Sequence, residues 1–231
     1  MGPTGLPLHV RVIPAQIARE VAEREHYMRR KPMISWSFGL HLDGELVGIA
    51  TFGTPASRHM QLGVCPSDPS LVTELNRVWL SDELPRNSES WFLSRVLKLM
   101  PPKIVVSYAD TTAGHLGFMY RGLNFRYAGW TDMERRTPRL DYLPADPSVH
   151  SRDAYRNGYA TTVRRRPKVK YWTTTGDRWD RRQLTALCHW PAYDWRKLPP
   201  PTEHRQLKPS EAAFALVTCE GATPPWTPHS P

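Results

Sequence analysis

The sequence predicts an α/β protein in which helices flank a central sheet, and three observations indicate this class. Between Glu74 and Phe125, segments with the two-residue period of strands alternate with segments that have the helical period. Asp43-Gly44 lies between two apolar stretches, which is a hairpin signal. From about Pro138, aliphatic periodicity fades while prolines and charged residues increase. The core is therefore expected before that point, followed by a basic, aromatic-rich C-terminal extension.

The first elements are a strand, a helix and a hairpin. Residues 9–13 are strand-like, and residues 14–24 have apolar side chains at helical spacing, a pattern that continues to His26-Tyr27. Residues 40–51 form the predicted hairpin because Asp-Gly suits the primed turns that join paired strands.

The next predicted strand is residues 74–80, where polar and apolar side chains alternate. This alternation places Leu75, Arg77 and Trp79 on one face. An Arg on an apolar strand face usually has an anionic partner, because buried charges are rarely left unpaired. The sequence leaves open whether the partner is a carboxylate of the chain or a ligand.

A helix follows, since Asn87 and Ser88 are good N-cap residues and Pro101-Pro102 stop the helix. Its first N–H groups, with the hydroxyls of Ser88 and Ser90, are expected to point toward the end of the preceding strand. Such a terminus can bind a phosphate or a carboxylate, and ordinary capping is the alternative.

Residues 103–107 are apolar and β-branched, as in a buried strand. Asp110 follows the carboxyl end of this strand, where open α/β sheets place ligand-binding groups. From Gly114 the pattern becomes helical and includes Tyr120, and Asn124 is the predicted stop because Asn tolerates the left-handed conformation.

Two resemblances extend this interpretation. Residues 115–125 resemble the helix before the last core strand of the acetyl-CoA-dependent N-acetyltransferase superfold, in which a Tyr at the position of Tyr120 commonly serves as general acid. Residues 25–129 resemble the Mom family of bacteriophage DNA-modification proteins. The motifs shared with that family are His26-Tyr27, Ser37-Phe38-Gly39, Thr51-Phe52-Gly53, residues 74–79, Asn87-Ser88-Glu89-Ser90 and Ser107-Tyr108-Ala109-Asp110.

These resemblances imply an N-acetyltransferase-like mixed sheet, split near Arg77 and Ser107. The Mom resemblance implies conversion of adenine in phage DNA to a carbamoylmethyl derivative on its exocyclic amine, which shields the genome from host restriction enzymes. The catalytic residues that it implies are His26, Tyr27, Arg77, Asp110 and Tyr120. They are expected to meet in one cleft.

The donor of the added group stays open. We predict that Asn87, Ser88, Ser90 and Ser107 bind it. An acyl-CoA is one option, but residues 84–88 replace the Gly-rich pyrophosphate loop of ordinary acetyltransferases. A carbamoylmethyl group is joined through a methylene carbon, so plain acyl transfer does not produce it. One hypothesis is a redox-active metal such as iron. Its predicted ligands are His26, Asp110 and His115.

The charge balance favours a polyanionic partner. The 231 residues include 31 Lys and Arg against 22 Asp and Glu, a net charge of +9, so nucleic acid is the simplest partner and an anionic membrane surface is the alternative. The Mom resemblance implies double-stranded DNA. No apolar run approaches a membrane span, and Cys65, Cys188 and Cys219 lack paired spacing. We therefore expect a soluble protein in a reducing cytoplasm, which the Mom resemblance implies is that of the infected bacterial host.

The predicted organisation is a catalytic domain over residues 1–137, a basic DNA-binding extension over 138–198 and a Pro-rich tail over 199–231. In the extension, alternate cations between Arg164 and Lys170 fall on one face of a strand, while Tyr171, Trp172 and Trp179 can stack on bases. A solvated surface and a small aromatic core are the alternatives. The predicted DNA-binding residues are Arg29, Arg30, Lys31, Arg164, Arg165, Arg166, Lys168 and Lys170.

Two other functions remain open at this point. A non-catalytic DNA-binding protein on the same fold would not need the converging polar residues, and a small-molecule N-acetyltransferase would not need residues 160–182. The sequence does not determine the oligomeric state, for which a homodimer is one option.

Overall fold

The structure is a computed structural model that describes residues 5–27, 31–131, 140–145, 149 and 151–197. The described residues form two compact units. The first contains the chain up to Tyr108, with Gly117–Ala128 and Lys170–Lys197. The second contains Ala109–Leu116 and the described part of Gly129–Val169.

Nine strands and six helices are described. The strands are β1 Leu8–Val12, β2 Trp36–Leu42, β3 Glu45–Gly53, β4 Val72–Leu80, β5 Ile104–Asp110, β6 Arg126–Trp130, β7 Leu140–Pro144, β8 Ala160–Arg164 and β9 Lys168–Thr174. The helices are α1 Ala15–Glu25, α2 Arg58–Val64, α3 Ser88–Leu99, α4 Phe118–Gly122, α5 Ser151–Arg156 and α6 Arg178–Leu187, with 3-10 turns at Pro69–Leu71 and Thr111–Ala113. None of the described helices has the length and apolarity needed to cross a bilayer.

The main sheet has the strand order β1-β2-β3-β4-β5-β9-β6, and β7 pairs with β8 in a separate two-stranded sheet. Strands β1 to β4 are antiparallel to their neighbours, whereas β4 and β5 run parallel. The parallel pair joins only Val72–Glu74 to Ile104–Val106. Beyond Glu74 and Val106 the two strands are not paired with each other, and we term the space between their unpaired ends the cleft. The predicted α/β class, mixed sheet and split are confirmed.

The predicted hairpin is also confirmed. Asp43 and Gly44 have φ of 52° and 90°, and they connect β2 to β3. Two successive left-handed residues are the requirement of the primed turn that matches the twist of paired strands.

Two helix boundaries differ from the sequence prediction. Helix α1 ends at Glu25, because His26 already has the extended conformation, so the helical pattern does not reach Tyr27. Helix α4 begins at Phe118 and not at Gly114, since Gly117 before it has φ of 83°. A side chain at Gly117 would overlap the ring of Tyr171.

The C-terminal end of α4 is as predicted. Asn124 has φ of 58°, the left-handed conformation expected after the last helical turn.

The basic extension does not form a domain of its own. Strand β9 lies between β5 and β6 in the main sheet, and Lys170–Lys197 belongs to the first unit. The division of the chain into a catalytic domain, a DNA-binding extension and a tail stays a prediction. The single strand predicted from Arg164 to Lys170 is wrong, because β8 ends at Arg164 and β9 begins only after Pro167. The Pro-rich tail lies outside the described residues.

Candidate active site

Strand β4 contains an extra residue just beyond its last pairing with β5. Against β3, Leu75 pairs with Phe52 and Arg77 pairs with Thr51, so Asn76 forms a β-bulge. Thr51 and Phe52 are neighbours on β3 and project to opposite faces, and their partners do the same. The prediction that Leu75 and Arg77 share a face is therefore wrong.

The bulge brings other polar groups together. Glu74 pairs with Gly53, two residues from the partner of Arg77, so Glu74 and Arg77 lie on one face. Glu74 also pairs with Val106, and Tyr108 follows two residues later on that face. Burial, and then the charge of Glu74, raise the pKa of the Tyr108 phenol. A carboxylate, a guanidinium and a phenol therefore line one side of the cleft.

The side chain of Asn76 holds the bulge in place. Its Oδ1 accepts a hydrogen bond from Thr51 Oγ1 at 2.5 Å, and its Nδ2 donates to the carbonyl of Met33 at 2.7 Å. Arg77 Nη1 donates to the Asn76 carbonyl at 2.6 Å. The Met33 carbonyl lies where a side chain at Gly53 would be, so only glycine fits there. These contacts orient the cleft residues of β4.

Tyr120 and Ser107 form a buried pair on the other face of the sheet, close enough to Glu74 for its charge to act on the Tyr120 phenol. Ser107 is 1% exposed and Tyr120 is 8% exposed. Ser107 Oγ lies 2.7 Å from Tyr120 Oη and 2.8 Å from the carbonyl of Leu75. The serine hydroxyl has one proton, and a carbonyl only accepts. In the resting state Ser107 therefore donates to Leu75 and accepts from Tyr120.

The environment keeps Tyr120 protonated. Burial raises its pKa to about 12, and the charges of Glu74 and Glu89 act in the same direction, while the hydrogen bond with Ser107 opposes them. Its ring centroid lies 5.2 Å from that of Phe125 and 5.1 Å from that of Tyr171, which fixes its position. At neutral pH Tyr120 is therefore a protonated phenol held in place by aromatic contacts.

The segment after α1 contains two further predicted site residues. His26 is buried, and its backbone N–H donates to the Ala22 carbonyl at 3.3 Å. Its ring centroid lies 4.3 Å from that of Tyr27, which is 53% exposed. Lys31, predicted to bind DNA, has its Nζ 3.7 Å from Glu23 Oε1. Arg29 and Arg30 lie outside the described residues.

Asp110 belongs to the second unit, where it is paired with a cation. Lys168 Nζ lies 2.7 Å from Asp110 Oδ2, so this predicted DNA-binding cation has a carboxylate partner within its own unit. The same holds for Arg165, whose Nε donates to Asp141 Oδ1 at 2.7 Å. The Arg164 side chain lies outside the described part of the chain.

The structure does not support the predicted metal site. His115 is exposed, and its backbone N–H donates to the carbonyl of Asp110 at 3.0 Å. Among the described residues there is no group of three or more His, Cys, Asp or Glu side chains that could hold a metal ion.

Asn87 and Ser88, two of the four predicted donor-binding residues, line a pocket of about 270 Å³ at the N-terminus of α3. The hydroxyls of Ser88 and Ser90 donate to the carbonyls of Pro85 and Asn87, at 2.7 and 3.0 Å. Both hydroxyl protons are thus engaged within the loop before α3 and its first turn, and Ser107, the fourth predicted donor residue, is hydrogen-bonded to Tyr120. Binding of the donor by these residues stays a prediction.

Charge also argues against a pyrophosphate in this pocket. Its lining contains the carboxylates of Asp82 and Glu89 and one guanidinium, from Arg86. Two negative charges repel an anionic group more than one exposed cation attracts it. The lining does not fit the pyrophosphate of a coenzyme A ester.

Sequence reasoning missed Glu74, Asn76 and Tyr108 as site residues. Glu74 and Asn76 lie within the strand motif, and Tyr108 lies within the Ser-Tyr-Ala-Asp motif. In the sequence, each of these site residues is visible only as a charged or polar residue inside a strand that reaches the cleft. The cross-strand register was needed to recognise it.

Comparisons with known proteins agree with the resemblance seen in the sequence. The sequence profile of the Mom protein family matches residues 7–184. Methylcarbamoylase mom of Escherichia phage Mu is 34% identical over 129 residues, which are 53% of this chain and 54% of that protein. The chain therefore spans about half the length of this curated relative.

Solved structures with a similar arrangement are acetyltransferases. A GNAT-family acetyltransferase from Bacillus cereus ATCC 10987 aligns over 74% of this chain and 99% of its own, at 12% identity and a TM-score of 0.40. An N-acetyltransferase from Staphylococcus aureus Mu50 aligns over 72% of this chain and 98% of its own, at 12% identity and a TM-score of 0.41.

Proposed function

Since the chain belongs to the Mom protein family, we propose that it is a DNA-modification enzyme that adds a carbamoylmethyl group to the exocyclic amine of adenine in double-stranded DNA. The product protects phage DNA from host restriction enzymes, and the enzyme acts in the cytoplasm of the infected host. The observation that carries the proposal is the pairing of a protonated, buried Tyr120 with Ser107 beside the cleft that Glu74 lines.

The amine is the nucleophile of the proposed reaction. Its lone pair is delocalised into the ring, and inside a duplex it is inaccessible, so the base must be flipped out of the stack. The amine nitrogen bonds to the methylene carbon of the donor, and the leaving group departs with the electron pair. The nitrogen then releases one proton. We assign the acceptance of this proton to Glu74, whose carboxylate lies on the same face of β4 as Arg77 and beside the end of the β4–β5 pairing.

Tyr120 supplies a proton to the leaving group. Its pKa of about 12 ensures that the phenol is protonated at neutral pH. As the phenolate forms, Ser107 can rotate its proton from the Leu75 carbonyl to the phenolate oxygen, because both acceptors lie within hydrogen-bond distance. The pair therefore stabilises the charge that develops during the reaction.

Arg77 is the cation on the Glu74 face of the cleft, and its bond to the Asn76 carbonyl orients it. It is proposed to bind a negatively charged or carbonyl group of the donor. His26 and Tyr27 are proposed to contact the flipped base.

Mass spectrometry of nucleosides tests the proposal. DNA from cells that express the wild-type protein is expected to contain an adenine nucleoside heavier by one carbamoylmethyl group in place of a hydrogen. Tyr120→Phe and Glu74→Gln are each expected to reduce its yield at equal protein level, by roughly a hundredfold for loss of an acid or base. Lys98→Gln, at an exposed position on α3, is the control. DNA without any new adduct would contradict the function, and full yield from Glu74→Gln would contradict its role.

A further inference from the structure

We propose that the outward face of α6 is a DNA-contact surface, on which Arg178 and Arg182 bind backbone phosphates and Trp179 packs against a sugar or an unstacked base. This inference rests on the proposed function, because it takes duplex DNA as the substrate. It concerns a part of the chain that the predicted DNA-binding residues do not include.

The three aromatic residues of the basic extension that were predicted to stack on bases differ in their burial. Tyr171 and Trp172 are 0% and 2% exposed, and Trp172 Nε1 donates to the Pro191 carbonyl at 2.9 Å. These two side chains belong to the core and cannot stack on bases. Trp179 is 67% exposed. A large aromatic surface left in water on a basic helix is typical of a nucleic-acid contact.

The helix presents its cations on one side. Arg178 and Arg182 are four residues apart and Trp179 is three residues from Arg182, so the three side chains are neighbours on the helix surface. All three are exposed, whereas Leu184 is buried on the opposite side. In the part of the chain that the structure describes, no carboxylate forms an ion pair with Arg178 or Arg182.

The acidic residues at the start of α6 are hydrogen-bonded to the backbone of its first turn. Asp180 N donates to Asp177 Oδ1 at 2.8 Å, and Asp177 N donates to Asp180 Oδ2 at 3.0 Å. Both carboxylates are therefore bound to the first turn of the helix as a capping box. Arg181 Nε donates to the Asp177 carbonyl at 3.2 Å, so its guanidinium is held at the same turn.

Helix α6 lies on the same side of the sheet as the Glu74 face of the cleft. Leu184 packs in one apolar cluster with Ile104 and Val106, and Val106 is the cross-strand partner of Glu74. Trp190 contacts that cluster and also meets the Tyr108 ring edge-on, with 6.2 Å between centroids. A duplex that crosses α6 therefore passes over the side of the sheet from which a flipped base can reach the cleft.

The salt dependence of binding separates the roles of the charges and the indole. Binding of a short fluorescein-labelled duplex is measured between about 50 and 200 mM salt for the full chain. The double variant Arg178→Gln/Arg182→Gln is expected to lower the slope of log affinity against log salt by about 1.8, because two phosphate contacts are lost. Trp179→Ala is expected to weaken binding by about tenfold at every salt concentration without a change of slope, since the indole is uncharged.

The matched control is Arg11→Gln/Lys98→Gln, which removes the same charge from exposed positions on β1 and α3. If the α6 double variant and this control have the same slope of log affinity against log salt, with thermal unfolding unchanged, α6 is not a DNA-contact surface. If adduct formation by the wild type persists in that case, the proposed function stands. Wild-type protein that neither binds the duplex nor forms the adduct would overturn both.

Discussion

Replacing Ser107 with alanine is expected to destabilise the protein more than replacing Tyr120 with phenylalanine. Both side chains are buried, and Ser107 lies between the phenol and the carbonyl of Leu75. Tyr120→Phe removes one hydrogen bond but leaves Ser107 bonded to Leu75, so the free energy of unfolding should fall by about 1 kcal/mol. Ser107→Ala deprives two buried groups of their partner, and the expected loss is about 2 to 3 kcal/mol.

The double variant gives the sharper test. Once Tyr120→Phe has removed the phenol oxygen, Ser107→Ala no longer leaves an unsatisfied hydroxyl. The double variant should therefore lose about 1 kcal/mol less than the sum of the two single losses.

Urea unfolding followed by circular dichroism measures all four proteins, and an unchanged slope with denaturant shows that the variants share one unfolded state. Additive losses, or a larger loss for Tyr120→Phe than for Ser107→Ala, would refute the hydrogen-bond direction inferred here.

Three further predictions concern the backbone, the bulge and pH. Gly117 has φ of 83° and lies against an aromatic ring, so Gly117→Ala should reduce the free energy of unfolding by about 2 kcal/mol or more in urea titration. Gly122→Ala is the control, because there is open space around the Gly122 Cα, and it should cause no such loss. Equal losses for the two variants would contradict this prediction. Asn76→Ala should lower the adduct yield more than Thr51→Val. Asn76→Ala removes both side-chain hydrogen bonds that hold the bulge, whereas Thr51→Val removes one of them. The reverse order of yields in nucleoside mass spectrometry would refute this prediction. The raised pKa of Tyr120 means that its proton is fully present below about 10, the pKa of an ordinary tyrosine, and is lost only as pH rises through about 12. A pH–rate profile should therefore show no loss of this acid near pH 10.

Local chemistry made several elements predictable. The Asp43-Gly44 turn was correct because few residue pairs adopt two successive left-handed conformations. Helix α3 begins after Asn87 and ends before Pro101-Pro102 as predicted, although the Asn87 side chain makes no capping hydrogen bond and its backbone is left-handed. The missing proline N–H ends the helix within one turn. These signals depend only on neighbouring residues.

The candidate site was predicted in part. The family motifs included Tyr120 and Ser107, which the structure joins by a hydrogen bond, and Arg77, which lines the cleft. The meeting of His26 and Asp110 with these groups stays a prediction.

The sequence by itself determined the class of fold, the order of its elements, the net charge and the motifs of the family. Only the tertiary structure decided that Glu74 and Arg77 share a face, that Lys168 pairs with Asp110 and that Trp179 is the exposed aromatic among its neighbours. The physical reason is that alternation along one strand looks the same with or without a bulge. Register, ion pairing and burial depend on partners that lie far away in the sequence, and they form only when the chain folds.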